Sequence, residues 1–348
     1  MIPLRLSALM AGGLVMGLAA LTAAAETRTI TDATGRPIEV PADPRRVFAA
    51  GPPAATLLYT LKPDAMVGWP RAPGAEDMPF LRPGTRDLPA LGRLTGKGDT
   101  VNLEVLLSAR PDLIVDYGTV NATYRDLARR VQAQTGTPYA LIDGSLPTIP
   151  ATLRTLGELL AETQRGETLA AYAEATFAGI DAILAAIPED RRPTVYLARG
   201  PEGIETAARG SINAEIIDRV GGRNVVAAGP DGLATVSPEQ VQAWAPEVIV
   251  TIDADFAAHV GTMPEWQGIP AVRDGRVYLA PAAPFGFIDS PPSVNRLIGL
   301  KWLAQKLYPE AAAPDIEAEV ARFYTLFYGV TPDRAALAGL LGSGHPGE

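Results

Sequence analysis

The chain contains no cysteine, and only 2 of its 348 residues are histidine. The first absence excludes disulfide staples, thiolate metal sites and a lipid-modified cysteine at a processed N-terminus. The second argues against a bare zinc or manganese site, which commonly uses several imidazoles. Positive charge is also short: 30 Lys and Arg face 39 Asp and Glu, a formal net charge of −9, which speaks against nucleic-acid binding by counterion release. G-x-S-x-G and Walker patterns are missing, and Gly96-Lys97-Gly98 lacks the spacing of a phosphate cradle. Asp253, Asp255 and His259 make only a loose D-x-D-x-x-x-H pattern, which a solvated helix start explains. No enzyme, metal site or cofactor is expected on these grounds.

Apolar runs are short as well. Leu9 to Leu21 is too brief to favour a membrane span; with Arg5 before it and Ala23-Ala24-Ala25 behind, residues 1–25 read as a secretory signal peptide. Without a cysteine to lipidate, the mature protein is expected free in the periplasm.

What remains is an ordinary globular composition, 47% hydrophobic, long enough for two domains. The stretch from Glu167 to Ile187 is the one long uninterrupted helix: Leu169, Tyr172, Ala173, Thr176, Ile180, Ile183, Leu184 and Ile187 recur at steps of three and four, and Pro188 ends it. On either side, Asn102–Asp116 (NLEVLLSARPDLIVD) and Ser237–Thr251 (SPEQVQAWAPEVIVT) align without a gap. Each has a capping residue, a Glu two places on (Glu104, Glu239), an apolar stripe, a helix-ending proline, an acid and a strand. The chain therefore predicts an α/β fold of two Rossmann-like lobes with mainly parallel sheets, 26–163 and 189–348, joined by a long rigid helix at 164–188.

Within the first lobe, strands are expected at Val47–Ala50, Ala65–Trp69, Leu113–Asp116 and Tyr139–Ile142. Helices are expected at Ala54–Leu61, Leu103–Ala109, Thr123–Gln134 and Ala151–Glu162. The second lobe predicts strands at Thr194–Ala198, Asn224–Ala227, Val248–Ile252 and Arg276–Ala280, with helices at Ile212–Val220 and Pro238–Trp244. Later helices are expected from Pro291, capped by Ser290, and over Asp315–Phe327, before a frayed Gly-rich end. Pro70 to Asp99, rich in Pro, Gly and Arg, reads as a long loop.

Ligands of α/β sheets gather beyond the carboxyl ends of the strands. Residues there, or on loops beside them, are Trp69, Arg71, Tyr117, Arg199, Arg209, Phe285 and Phe287. Guanidinium groups with aromatic faces suit an anionic, partly apolar ligand such as a ferric chelate.

A D-x-x-G-R-x-(apolar)-x-(apolar)-P hairpin at Asp32–Pro41, followed by P-x-R-V at Pro44–Val47, resembles the start of the periplasmic binding proteins of iron-siderophore and vitamin B12 ABC importers. The paired Glu-containing helices, the long helix and the segment GRVYLAP at Gly275–Pro281 match that family too. The resemblance implies a monomeric, non-catalytic protein that binds a ferric-siderophore-type complex between its lobes, and the helical rather than flexible connection predicts little closure. It also implies that Glu104 and Glu239 dock on the two subunits of a permease dimer in the inner membrane. Cobalamin, molybdate, or haem held through Tyr117 or His259 are alternative ligands, and a sensor or scaffold without transport is the alternative role.

Overall fold

The computed structural model describes residues 26–95, 103–229, 232–312 and 315–342. The expected signal peptide, the cap at Asn102, Gly96-Lys97-Gly98 and His345 lie outside the described residues.

The chain opens as a hairpin, β1 (Thr27–Thr31) against β2 (Pro37–Pro41), antiparallel. Asp32 builds its tip: Oδ1 accepts from the backbone and hydroxyl of Thr34 and from the Arg36 backbone N–H, while Oδ2 pairs with the Arg36 guanidinium. Arg36 also donates to the Tyr139 carbonyl, which ties the tip to the first lobe. The D-x-x-G-R motif is thus a self-bonded turn with an anchor.

The first lobe then runs β3 (Val47–Ala49), α1 (Pro52–Leu61), α2 (Pro83–Arg86), α3 (Leu103–Ala109), β4 (Leu113–Gly118), α4 (Ala122–Thr135), β5 (Tyr139–Asp143) and α5 (Ile149–Leu159). Its sheet is β3-β4-β5, all parallel. The strand expected at Ala65–Trp69 is reduced to two single bridges, Val47 with Met66 and Trp69 with Ala90, because Pro63 begins a short 3-10 turn there. The 70–95 stretch folds into turns, with a 3-10 helix at Met78–Phe80 and α2.

The long helix, α6 (Thr163–Ala185), has 23 residues, about 34 Å at 1.5 Å per residue. It is long and apolar enough to cross a membrane, yet it buries Leu169, Tyr172, Ala173, Thr176 and Ile180 within the protein. Gly157 and Gly166 let α5 and α6 cross closely, since a Cβ on either would meet the Cα of the other. Arg154 adds ion pairs to Glu167 and Glu174, at 2.7 Å each.

The second lobe runs β6 (Thr194–Ala198), β7 (Glu205–Ala207), α7 (Glu215–Arg219), β8 (Arg223–Asn224), β9 (Leu233–Thr235), α8 (Pro238–Trp244), β10 (Val248–Thr251), α9 (Ala254–His259), α10 (Pro270–Arg273), β11 (Val277–Leu279), α11 (Arg296–Leu307), α12 (Ile316–Phe323) and α13 (Arg334–Gly342). Its main sheet, β11-β10-β6-β8, is parallel throughout. The hairpin β7-β9 and the helix α13 do not follow from the sequence pattern. β8 is short, and just beyond it the Asn224 side-chain oxygen accepts the Val226 N–H. α11 starts later than Pro291, since Asn295 bonds the carbonyls of Gly286 and Pro291 and holds the preceding stretch as a loop.

The repeat is physical. Arg110 and Ala245, at matching positions, both take left-handed backbone (φ 45° and 46°) at the exit from the helix, just before its proline. The matching acids also act alike. Asp112 accepts the backbone N–H groups of Arg45 and Arg46 before β3, and Glu247 accepts Thr194 N–H at the start of β6. Each lobe therefore uses the same helix, turn and acid to set its central strand beside the next.

The final elements return to the first lobe. A π-helical turn, Tyr324–Tyr328, extends α12 and stacks on α1, with Tyr59 donating to the Tyr328 carbonyl at 3.1 Å and Arg165 bonding the carbonyls of Leu326 and Phe327. Spatial lobe and sequence half part company at this turn. Gly299 on α11 lies against the Phe287 carbonyl, which a Cβ would strike. Gly299→Ala is therefore expected to destabilise the fold by about 1–3 kcal/mol, read as a drop in urea midpoint; an unchanged midpoint would contradict this packing.

Candidate ligand-binding cleft

A cavity of about 960 Å³ opens between the lobes at the carboxyl ends of their strands. One wall comes from the first lobe: Pro52 and Pro53 at the start of α1, Trp69 to Pro73, Arg93 and Thr95, and Asp116 to Thr119 at the end of β4. The other wall comes from the second lobe: Arg199 after β6, Ile212, Asn213, Leu233, and the loop from Pro284 to Pro292. Such a volume lies within the range of small-molecule sites, about 300–1,000 Å³.

Five of the seven candidate residues line this cavity: Trp69, Arg71, Tyr117, Arg199 and Phe285. Trp69 is buried, donates its indole N–H to the Thr85 carbonyl at 2.7 Å, and stands in a ring cluster with Tyr59 and Phe285. Arg71 is exposed at the rim. Two candidates lie elsewhere. Arg209 points along its own lobe toward Asp218 (3.8 Å) and the Asn224 carbonyl, held there because its backbone N–H bonds Val226. Phe287 is fully buried in the core and does not line the cavity.

The cavity also gathers residues that strand-end reasoning passed over: Asp77, Arg93, Asp116, Tyr124, Asn213 and Asp289. Asp116 carried a signal, an acid closing the apolar run Leu113-Ile114-Val115, but nothing local shows that it borders a cavity.

The charges of this wall balance. Among the described residues three arginines, Arg71, Arg93 and Arg199, face three acids, Asp77, Asp116 and Asp289. Asp289 is buried and fully engaged: it pairs with Arg199, accepts Asn213 Nδ2 on both oxygens at 3.0 Å, and takes the Ser290 N–H. Burial pushes its pKa up and the Arg199 charge opposes that. Arg199 bonds Glu205 as well, so two carboxylates hold its position. Burial likewise raises Asp77.

Asp116 differs. Burial pushes its pKa up to about 6, against hydrogen bonds from Tyr139 Oη (2.9 Å) and Thr95 Oγ1 (3.3 Å). Its pKa is therefore higher folded than unfolded, so ionising it costs stability as pH rises from about 4 to about 6 and beyond. The shift of about two units from 3.8 corresponds to about 3 kcal/mol. Asp116→Asn removes that cost: the variant should melt above the wild type at neutral pH and level with it near pH 3, in thermal scans at both. A variant less stable than wild type at neutral pH would contradict the assignment.

Behind the cavity a charge pair of the second lobe reaches across the lobe seam by hydrogen bonds. Arg296, fully buried, bonds Glu215 (3.2 Å) and the Ile212 carbonyl in the second lobe, and the Gly144 carbonyl (2.7 Å) beyond β5 in the first. Glu215 also accepts the Leu146 N–H at 2.6 Å. Ser293 Oγ adds a bond to the Pro53 carbonyl. The Tyr117 hydroxyl lies buried beside Arg296 without a hydrogen-bond partner among the described residues, and burial raises its pKa.

Glu104 and Glu239 are both exposed, in the first turns of α3 and α8. A hydrogen bond from Ser237 holds the Glu239 carboxyl below its usual range, and Ser237 also caps α8 by accepting the Gln240 N–H. Val105 and Leu107, beside Glu104, are the large apolar side chains left exposed among the described residues. Asp253 caps α9, and His259 bonds the Asp255 carbonyl; no cluster of metal-ligating side chains occurs among the described residues.

Two parallel-sheeted lobes, a stiff helix between them and a ligand-sized cleft at their facing strand ends define a solute-binding protein. The periplasmic binding protein family matches residues 86–284, more than half of the chain, and the chain belongs to that family. An ABC transporter solute-binding protein from Sulfurospirillum deleyianum superposes with a TM-score of 0.83 at 30% identity, covering 90% of this chain and 99% of that one. The molybdate-binding protein MolA of Haemophilus influenzae is 25% identical over 287 residues, 71% of this chain and 77% of MolA. The MolA structure with molybdate has a TM-score of 0.73 at 22% identity, over 88% of this chain and 100% of that one. Helicobacter pylori CeuE in its Ni–His complex has a TM-score of 0.70 at 16% identity, over 91% and 99%.

Proposed function

We propose that this protein is exported by its 1–25 segment, binds a ferric-siderophore-type chelate between its lobes as a monomer, and delivers it to an ABC permease without catalysis. The observation that carries the ligand class is the balanced wall of a 960 Å³ cavity. A bare oxyanion asks for a small pocket of convergent N–H or cationic donors. A chelate has an organic shell to cover and only part of its charge to meet, which aromatic rings, prolines and one uncommitted rim arginine suit. Molybdate is the second reading, favoured by the likeness to MolA.

Trp69, buried at the cavity edge, provides the test. Titrating the purified mature protein with ferric hydroxamate and catecholate chelates should give saturable tryptophan quenching, and molybdate should not. A response to molybdate alone would overturn the chelate and keep the import role.

Closure on binding is expected to be small, because α6, the bonds of Arg296 to Gly144 and of Leu146 to Glu215, and the Ser293–Pro53 bond all tie the lobes. Small-angle scattering with and without ligand should nearly superimpose; a hinge motion of tens of degrees would contradict this.

A further inference from the structure

Of the three acids in the cleft, Asp289 is paired with Arg199 and Asp77 is near Arg71. Asp116 makes no ion pair among the described residues, although it is only 3% exposed. An ionised carboxylate has about four acceptor sites. Thr95 and Tyr139 occupy two, both neutral donors. The groups packed around it are Thr95 with Arg93 nearby on the same loop, Tyr124 on α4, Tyr139 on β5 and Tyr117 next in the strand. A nearly dry carboxylate with acceptor sites unfilled beside a cavity is, once ionised, completed by a cation.

We propose that Asp116 forms a subsite for a protonated amine carried by the cargo, so that the cleft selects chelates bearing an ammonium arm. The inference rests on the chelate reading and narrows it. The same carboxylate repels a ligand made only of acceptor oxygens, which separates the chelate from the oxyanion by charge as well as by size. Because the subsite needs Asp116 ionised, its contribution grows as pH rises and fades in acid.

Ferric desferrioxamine B has one free ammonium arm, and N-acetylation removes its charge, so the two forms are the probes. By calorimetry at about pH 7.5 the wild type should prefer the ammonium form about tenfold, roughly 1.4 kcal/mol. The preference should shrink at about pH 5 and vanish in Asp116→Asn. Equal affinity for the two forms, or a preference that survives in Asp116→Asn, overturns the subsite and leaves the chelate reading standing. If neither form binds, this hydroxamate cargo fails, and the subsite is judged by carbon NMR of the Asp116 carboxyl. Its titration midpoint should fall when excess ethylammonium is added to wild-type protein, and an unmoved midpoint overturns the proposal.

Discussion

Replacing both Glu104 and Glu239 by alanine should abolish ligand uptake by cells while leaving ligand affinity of the purified protein unchanged. The two glutamates occupy the same place in the repeated helix-strand unit, one per lobe, each exposed in the first turn of its helix. A first-turn acid gains about 0.3–1 kcal/mol from the helix dipole, which explains either residue alone but not the duplication. A two-subunit permease offers a matched pair of sites, and a charge pair lost at such an interface costs about 2–5 kcal/mol. Losing both multiplies the loss. Neither residue lines the cleft, so affinity is untouched. Uptake of labelled ligand by cells carrying the double variant, beside calorimetry on the same protein, reads both quantities. A large loss of affinity would refute the division between cleft and docking face.

The second large effect is on stability. Arg296→Met should lower the unfolding free energy by about 3–5 kcal/mol, because it strands Glu215 at the lobe seam and leaves carbonyls from both lobes without their donor. Converting Glu215 to Met as well should recover part of the loss, since an unpaired acid is worse than no acid. Urea denaturation of the two variants measures this. A single variant within 1 kcal/mol of wild type, roughly the scale of a surface pair, would mean the seam is not held by this pair.

Much of this fold is written locally. The 3.6-residue stripe of α6, the Pro-terminated helices and the D-x-x-G-R turn depend on neighbours within a few positions, and each occupies the expected stretch to within a few residues. The gapless repeat even extends to a shared detail, the left-handed exits at Arg110 and Ala245. What failed depended on distant partners. Phe285 and Phe287 are two residues apart and chemically identical, yet one borders the cleft and the other fills the core, a choice made by how the 284–292 loop meets α11. Arg209 is a cleft candidate by its position in a loop, but Asp218 and Asn224 decide where its guanidinium goes. Asp116 is legible only as an oddity in an apolar strand, because a cavity assembled from both lobes leaves no periodic trace.

That the cargo sits between the lobes is tested most directly by filling the space. Gly118 lines the cavity, and a Cβ built there meets nothing within 4 Å. Calorimetry of Gly118→Phe with the best-binding chelate should show affinity down at least about a hundredfold, roughly 3 kcal/mol, in a protein whose melting temperature is close to wild type. Undiminished affinity in that folded variant would contradict the account, and the cargo would have to be sought elsewhere on the molecule.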